Sequence, residues 1–193
     1  MNTGTLNSGG NHSEPAWVGQ VLHYWFEELD QQRWFDPSHE VDARIRTRFL
    51  ALHEHIASGQ VTPVMTGRAL LAAVIVLDQF SRNMFRGTPR AYAADLQARQ
   101  YADTALSHKY DVGMKLHERQ FLYLPFQHSE DRHDQARSVA LFAQLGDEGL
   151  SRYALAHQSI IDRFGRFPHR NAILNRDSSA TELESLKEPM GSF

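Results

Sequence analysis

Residues 164–171, Phe-Gly-Arg-Phe-Pro-His-Arg-Asn, crowd Arg166, His169, Arg170 and Asn171 into one short stretch. Guanidinium, imidazole and amide groups at this density suit an anionic or strongly polar partner, because Arg presents a planar fork that matches carboxylate and phosphate oxygens. Gly165 is a helix-stop residue and Pro168 prevents the helix from restarting, so the polar side chains ride on a stiffened loop. Such a loop, held by a rigid scaffold, is a platform for binding or catalysis.

A second concentration lies at residues 77–87, where Asp78, Arg82 and Arg86 recur at i, i+4 and i+8, with Gln79 and Asn83 beside them. On a helix these five share one side, giving a polar stripe on an otherwise apolar segment. Such a stripe is costly to bury unpaired, so it predicts a polar cleft; the alternative is an Asp78–Arg82 ion pair with the two Arg capping carbonyls at the helix end. A third concentration, residues 118–131, contains Arg119, His128, Ser129, Glu130 and Asp131. Pro125 should kink or end this helix and put His128 to Asp131 at a helix junction. Here His128 with Glu130 or Asp131 would make a general base with its orienting carboxylate, or half of a metal site with His133. The ligand spacing for a metal is incomplete, and no metal or other cofactor is expected. Ser129 lacks the flanking glycines of a nucleophile elbow. Tyr153, His157, Ile160, Ile161 and Phe164 fall on one helix face, which reads first as a core imidazole; Arg163 and Arg166 nearby keep His157 a candidate.

The elements needed to position these groups are all helical. No alternating apolar and polar run occurs, whereas 3.6-residue periodicity dominates. A first helix carries Trp17, Val21, Leu22, Trp25 and Phe26, with Ser13 as its cap and Asp36-Pro37 closing it; Ser38 caps a second that ends at Gly59. A third begins near Thr66 and is apolar nearly all round through Leu77, so it should be central. Further helices are expected over 90–108, 115–128, 132–145, 148–164 and 180–187, the last opened by a capping box at Ser179 and Glu182. About eight helices with short connections predict an all-α chain of antiparallel hairpins, either a short tetratricopeptide-like solenoid or a compact helical bundle. The expected organisation is a disordered tail over 1–13, one domain over 14–187 and a second tail over 188–193.

The chain of 193 residues has 41% apolar content, no Cys and a net charge of −3. That balance offers no broad footprint for nucleic acid, and no stretch reaches the ~20 apolar residues of a membrane span. Absence of Cys removes disulfides and thiolate chemistry and suits a cytoplasmic location. The polar first residues lack the basic and apolar regions of a signal peptide. Of the twenty basic residues seventeen are Arg, a skew that suits anion recognition but also follows from a GC-rich genome.

Taken together, Asp78-Gln79-Phe80-Ser81-Arg82-Asn83, Phe85-Arg86-Gly87, Glu118-Arg119, Leu122-Tyr123-Leu124-Pro125, His128-Ser129-Glu130-Asp131 and the 164–171 stretch resemble the DUF924 family, bacterial proteins of unknown function with a tetratricopeptide-like helical fold. The resemblance extends over about residues 18–186. It implies family positions at Asp78, Gln79, Arg82, Asn83, Arg86, Asp95, Arg119, His128, Ser129, Glu130, Asp131, His157, Arg163, Arg166, His169, Arg170, Asn171 and Arg176. The chain departs from the family in having Asn175 where Gly is expected, and a short 60–65 segment without the expected Trp. Asn tolerates the left-handed conformation, so the turn at Asn175 should survive.

Three functions follow as expectations. The first is a cleft of Arg82, Arg86, Arg119, Arg166 and Arg170 that binds a small anionic molecule or a peptide carboxyl terminus, with Asp78, Gln79, Asn83, His157, Arg163 and Asn171 contributing. The second is an Arg–carboxylate network that holds helices in register with no ligand. The third is a cofactor-independent enzyme with His128 or His169 as general base and Asp131 or Glu130 as orienter.

Overall fold

A computed structural model describes residues 14–188; the expected cap at Ser13, the tail over 1–13 and all but the first residue of the tail over 188–193 lie outside the described residues. Nine α-helical segments occur among them: α1 (Ala16–His23), α2 (His39–Ala57), α3 (Gly67–Val74), α4 (Ser81–Met84), α5 (Asp95–Ser107), α6 (Leu116–Gln127), α7 (Arg132–Ala143), α8 (Glu148–Phe164) and α9 (Ala180–Ser185). A π-helical turn, Ile75–Phe80, joins α3 to α4 without a break. The three form one rod, which reconciles nine segments with about eight expected helices.

That rod is the axis of the fold. Thr66 caps it by accepting from the Ala69 amide, and Ala69 through Phe80 are all buried, so it must be covered on every side. Between them, α3, the π turn and α4 pack against α1, α2, α5 and α6, while α7 lies against both α6 and α8. An aromatic cluster fills the region between α1, the π turn and α6: Trp25 meets Phe80 and Phe121 edge to face at 5.6 and 5.2 Å. The Trp34 indole nitrogen donates to the Trp25 carbonyl at 2.9 Å, which pins the α1–α2 connection onto this cluster.

The caps read from the sequence are present at Ser38, whose hydroxyl accepts from Val41, and at Ser179 and Glu182, which form the capping box. Gly59 and Gly165 both adopt positive φ, as helix-ending glycines do, and Asn175 takes φ of 53°, the left-handed conformation expected of it.

Some boundaries differ from expectation. The span 90–108 divides into a 3₁₀ turn, Pro89–Ala91, and α5. The last helix stops at Ser185 rather than 187. Pro125 does not end α6, which runs on two residues to Gln127. Its missing amide falls within the last turn, where a single lost hydrogen bond is tolerated because Phe121, Leu124 and Phe126 are buried around it.

Candidate functional site

The π turn is where the central rod becomes polar. Five-residue spacing widens the backbone there, and the Asp78 carbonyl accepts from Arg82 Nη1 at 2.8 Å while the Leu77 carbonyl accepts from the Ser81 hydroxyl at 2.6 Å. π turns concentrate at functional sites. This one carries Asp78, fully buried, and Gln79.

Asp78 is the hub of a buried charge cluster. Its Oδ1 meets Arg82 Nη1 at 3.0 Å and His128 Nδ1 at 2.8 Å, and its Oδ2 accepts from the Gln79 amide. Arg82 also grips Asp95, Nη1 to Oδ1 and Nη2 to Oδ2, both at 3.0 Å. Burial pushes the Asp78 carboxyl up, but the Arg82 guanidinium and His128 outweigh it and hold it well below the usual carboxylate range. With Asp78 ionised, His128 Nδ1 carries the hydrogen and donates it, so the opposite ring nitrogen, Nε2, is the unprotonated one. Burial and the Arg82 charge push His128 down and keep it neutral.

The 164–171 loop reaches this cluster because Glu130, at the α6–α7 junction, holds it. Glu130 accepts from the Phe167 amide at 2.8 Å and pairs with Arg176 at 2.7 and 3.0 Å; Arg176 in turn donates to the Phe167 carbonyl at 3.2 Å. The 3₁₀ turn Pro168–Arg170 then delivers Arg170 beside Asp95. Arg170 is 6% exposed, yet its nearest carboxylate oxygen, Asp95 Oδ2, lies 3.9 Å away and is already bonded to Arg82. Its Nε has no hydrogen-bond partner, and its guanidinium stacks over Tyr92 and Phe167 at 4.7 and 4.5 Å. Burial, aided by the Arg82 charge, lowers Arg170 to about 10. It is a buried cation without a full counter-charge.

Arg82, His128 and Arg170 of this cluster line one cleft of about 600 Å³, behind which Asp78 is fully buried. Gln79, Arg82, Asn83 and Arg86 come from the rod, His128 from the end of α6, His157 from α8, and His169 and Arg170 from the loop. All three concentrations of polar residues therefore converge. His157 Nδ1 donates to the Tyr153 carbonyl at 2.8 Å, and its ring centroid lies 6.3 Å from that of His128. Burial lowers His157 to about 3; burial and then Arg170 lower His169 to about 4.

Several candidate residues point elsewhere. Arg119 donates to the Tyr123 hydroxyl at 3.0 Å, which donates to Asp111 at 2.7 Å. Arg163 pairs with Glu188 at the surface, 3.2 Å apart. Arg166 is taken by Glu182 at 2.6 and 3.0 Å and by the Asp177 carbonyl at 2.8 Å, and Asn171 donates to Ser178 and Glu182. Asp131 is the α7 cap, accepting from the His133 and Asp134 amides, so the orienter of His128 is Asp78 rather than Asp131 or Glu130. Asn83 and Arg86 reach the cleft but are both engaged by Asp42 of α2 at 2.8 Å. His133 is exposed on α7 and forms no site with His128; among the described residues no three His, Asp or Glu side chains are gathered to hold a metal ion.

Sequence reasoning missed Asp42 as the partner of Asn83 and Arg86, and in the cleft it missed Tyr92, Gln127 and the apolar lining, Trp34, Phe35, Leu124, Phe142, Leu150 and Ile173. Only Leu124 had a signal, since it stands one turn before His128 on the same helical face. Among the described residues no helix is long and apolar enough to cross a membrane.

The family model DUF924, described as bacterial protein of unknown function, matches residues 21–190. A solved structure of a protein of unknown function from Agrobacterium tumefaciens is 35% identical, covering 90% of this chain and 98% of that one with a TM-score of 0.83. No curated protein matches the chain.

Proposed function

The chain belongs to the DUF924 family of bacterial proteins of unknown function, and from its cleft we propose that it binds a small anion, with Arg170 as the principal contact. The observation that carries this is the state of Arg170, a buried guanidinium whose nearest carboxylate is 3.9 Å away and already bonded to Arg82. A buried charge without a full partner is costly, and an incoming carboxylate or phosphate oxygen removes that cost. Gln79, Arg82, Asn83 and His128 line the same space and supply polar groups around the head of the ligand. A peptide carboxyl terminus presents the same head. The network alternative accounts for Arg86, Arg166 and Arg176, each consumed by a carboxylate, but leaves Arg170 unexplained. A cytoplasmic setting goes with this reading, since a chain without Cys needs no oxidising compartment.

The test is thermal unfolding of the full chain against phosphate and simple carboxylates, with Arg170→Met as control. Binding to the native state raises the midpoint with ligand concentration. A concentration-dependent rise in the wild type that disappears in Arg170→Met is expected; no rise with any anion contradicts the proposal.

One observation favours a second, catalytic reading: Asp78 fixes His128 with Nδ1–H inward and an unprotonated nitrogen on its other edge, the arrangement of an oriented general base. Nitrogen-15 NMR at neutral pH should then show His128 neutral and protonated at Nδ1. An imidazolium signal contradicts it.

A further inference from the structure

The cleft is polarised along its length. On α6, Gln120, Leu124 and His128 face it at i, i+4 and i+8, a line of about 12 Å at 1.5 Å per residue. On α8 the sequence Leu150, Tyr153, His157 runs along the facing wall. At one end His128 and His157 lie with ring centroids 6.3 Å apart. At the other end stand Trp34 and Phe35, pinned to α6 by ring contacts with Phe121 at 4.9 and 5.9 Å. Phe35 is 60% exposed, a large apolar ring left at the mouth of a cleft whose far end holds a buried, under-neutralised cation.

We propose that the ligand is an amphipathic monocarboxylate: an acid head at Arg170, and an aliphatic or aromatic body lying along Leu124, Leu150 and Phe35. This names the ligand class of the anion site and rests on that reading. A single negative charge is indicated because Arg82 is committed to Asp78 and Asp95, and Arg86 to Asp42, which leaves one guanidinium to be matched. A planar carboxylate suits its fork. The apolar body covers Phe35 and fills a volume of the size that small-molecule sites have.

The experiment is calorimetric titration of the full chain with acetate, butanoate, hexanoate and octanoate, with methyl octanoate, octyl phosphate and inorganic phosphate alongside. Affinity should rise about threefold to fourfold with each added methylene, as expected for about 0.8 kcal/mol per buried CH₂. Arg170→Met should weaken every acid at least about tenfold, the scale of one lost charge-assisted bond. Phe35→Ser should flatten the rise with chain length, with circular dichroism checking that the fold is kept. Acetate and phosphate binding through Arg170 without gain along the series overturns the ligand class and leaves the anion site standing. Equal binding of methyl octanoate overturns it in favour of a purely apolar cleft, and tighter binding of octyl phosphate overturns the carboxylate head. Failure of every anion, phosphate included, overturns both readings together.

Discussion

Replacing Arg170 and Arg82 one at a time with Met separates a site cation from a structural one. Arg170 falls well below the ordinary guanidinium value, to about 10 in the folded chain, so at neutral pH folding works against its charge. At about 1.4 kcal/mol per unit that penalty is on the order of 3 kcal/mol. Met removes it but also forfeits the stacking on Tyr92 and Phe167, worth about 1–2 kcal/mol each when desolvated. Asp95 keeps both of its bonds to Arg82. The two effects nearly cancel, and Arg170→Met should change stability by no more than about 1 kcal/mol. Arg82→Met removes the cation shared by Asp78, which is fully buried, and Asp95. Even with His128 and Gln79 still bonded to Asp78, stranding these carboxylates should cost about 3–5 kcal/mol. Urea unfolding at pH 7, read as a change in midpoint at constant slope, makes the comparison. A loss for Arg170→Met as large as that for Arg82→Met would refute the reasoning and make Arg170 part of the scaffold.

Three further outcomes follow from the same geometry. His157 and His169, held at about 3 and about 4 by burial, stay neutral in the folded chain while free imidazoles protonate near 6.5. The unfolded state therefore binds more protons, and stability should fall as pH drops from about 6.5 toward 4.5, by up to about 1.4 kcal/mol per pH unit for each ring; denaturation midpoints that stay flat over this window contradict that assignment. A negative charge settling beside the neutral His128 and His169 favours their protonated forms, so a bound anion should raise these imidazoles and take up a proton. Affinity should then increase as pH falls below about 6.5, and titration in buffers of different ionisation enthalpy should show fractional proton uptake; proton release would rule this out. Arg166→Met should lower the unfolding midpoint by stranding buried Glu182 yet leave anion binding intact, and loss of binding with an unchanged midpoint would return Arg166 to the site.

The helices were legible because their signals are local. Ser38, Thr66, Ser179 and Gly165 mark ends through hydrogen bonds or φ values that each residue type sets by itself. The polar stripe was legible as spacing on one helix, and Asp78, Arg82 and His128 do meet. Which charge pairs with which was not legible, because partners such as Asp42 for Arg86 and Glu182 for Arg166 are far apart along the chain or held by loops. Of the Arg residues gathered around the 164–171 loop, composition could not tell the under-neutralised Arg170 from the satisfied Arg166. That difference lies in a few ångströms of carboxylate placement. The π turn also left no mark in the sequence, since its residues would equally continue an α-helix, and it is this turn that aims Asp78 at His128. The aromatic part of the lining, Trp34 and Phe35, came from the α1–α2 connection, whose position depends on the Trp34–Trp25 bond and on no helical period.

The central claim, that an anion settles against Arg170, is tested most directly by following the Arg Nε–H signals in a proton–nitrogen NMR spectrum while butanoate is added. The account predicts that the Arg170 signal moves saturably, with one bound acid per chain, while that of Arg166 stays in place because Glu182 already accepts from its Nε, and that of Arg176 because Glu130 already neutralises its guanidinium. Signals of all three that move together without saturation, or an Arg170 signal that does not move at all, would contradict it.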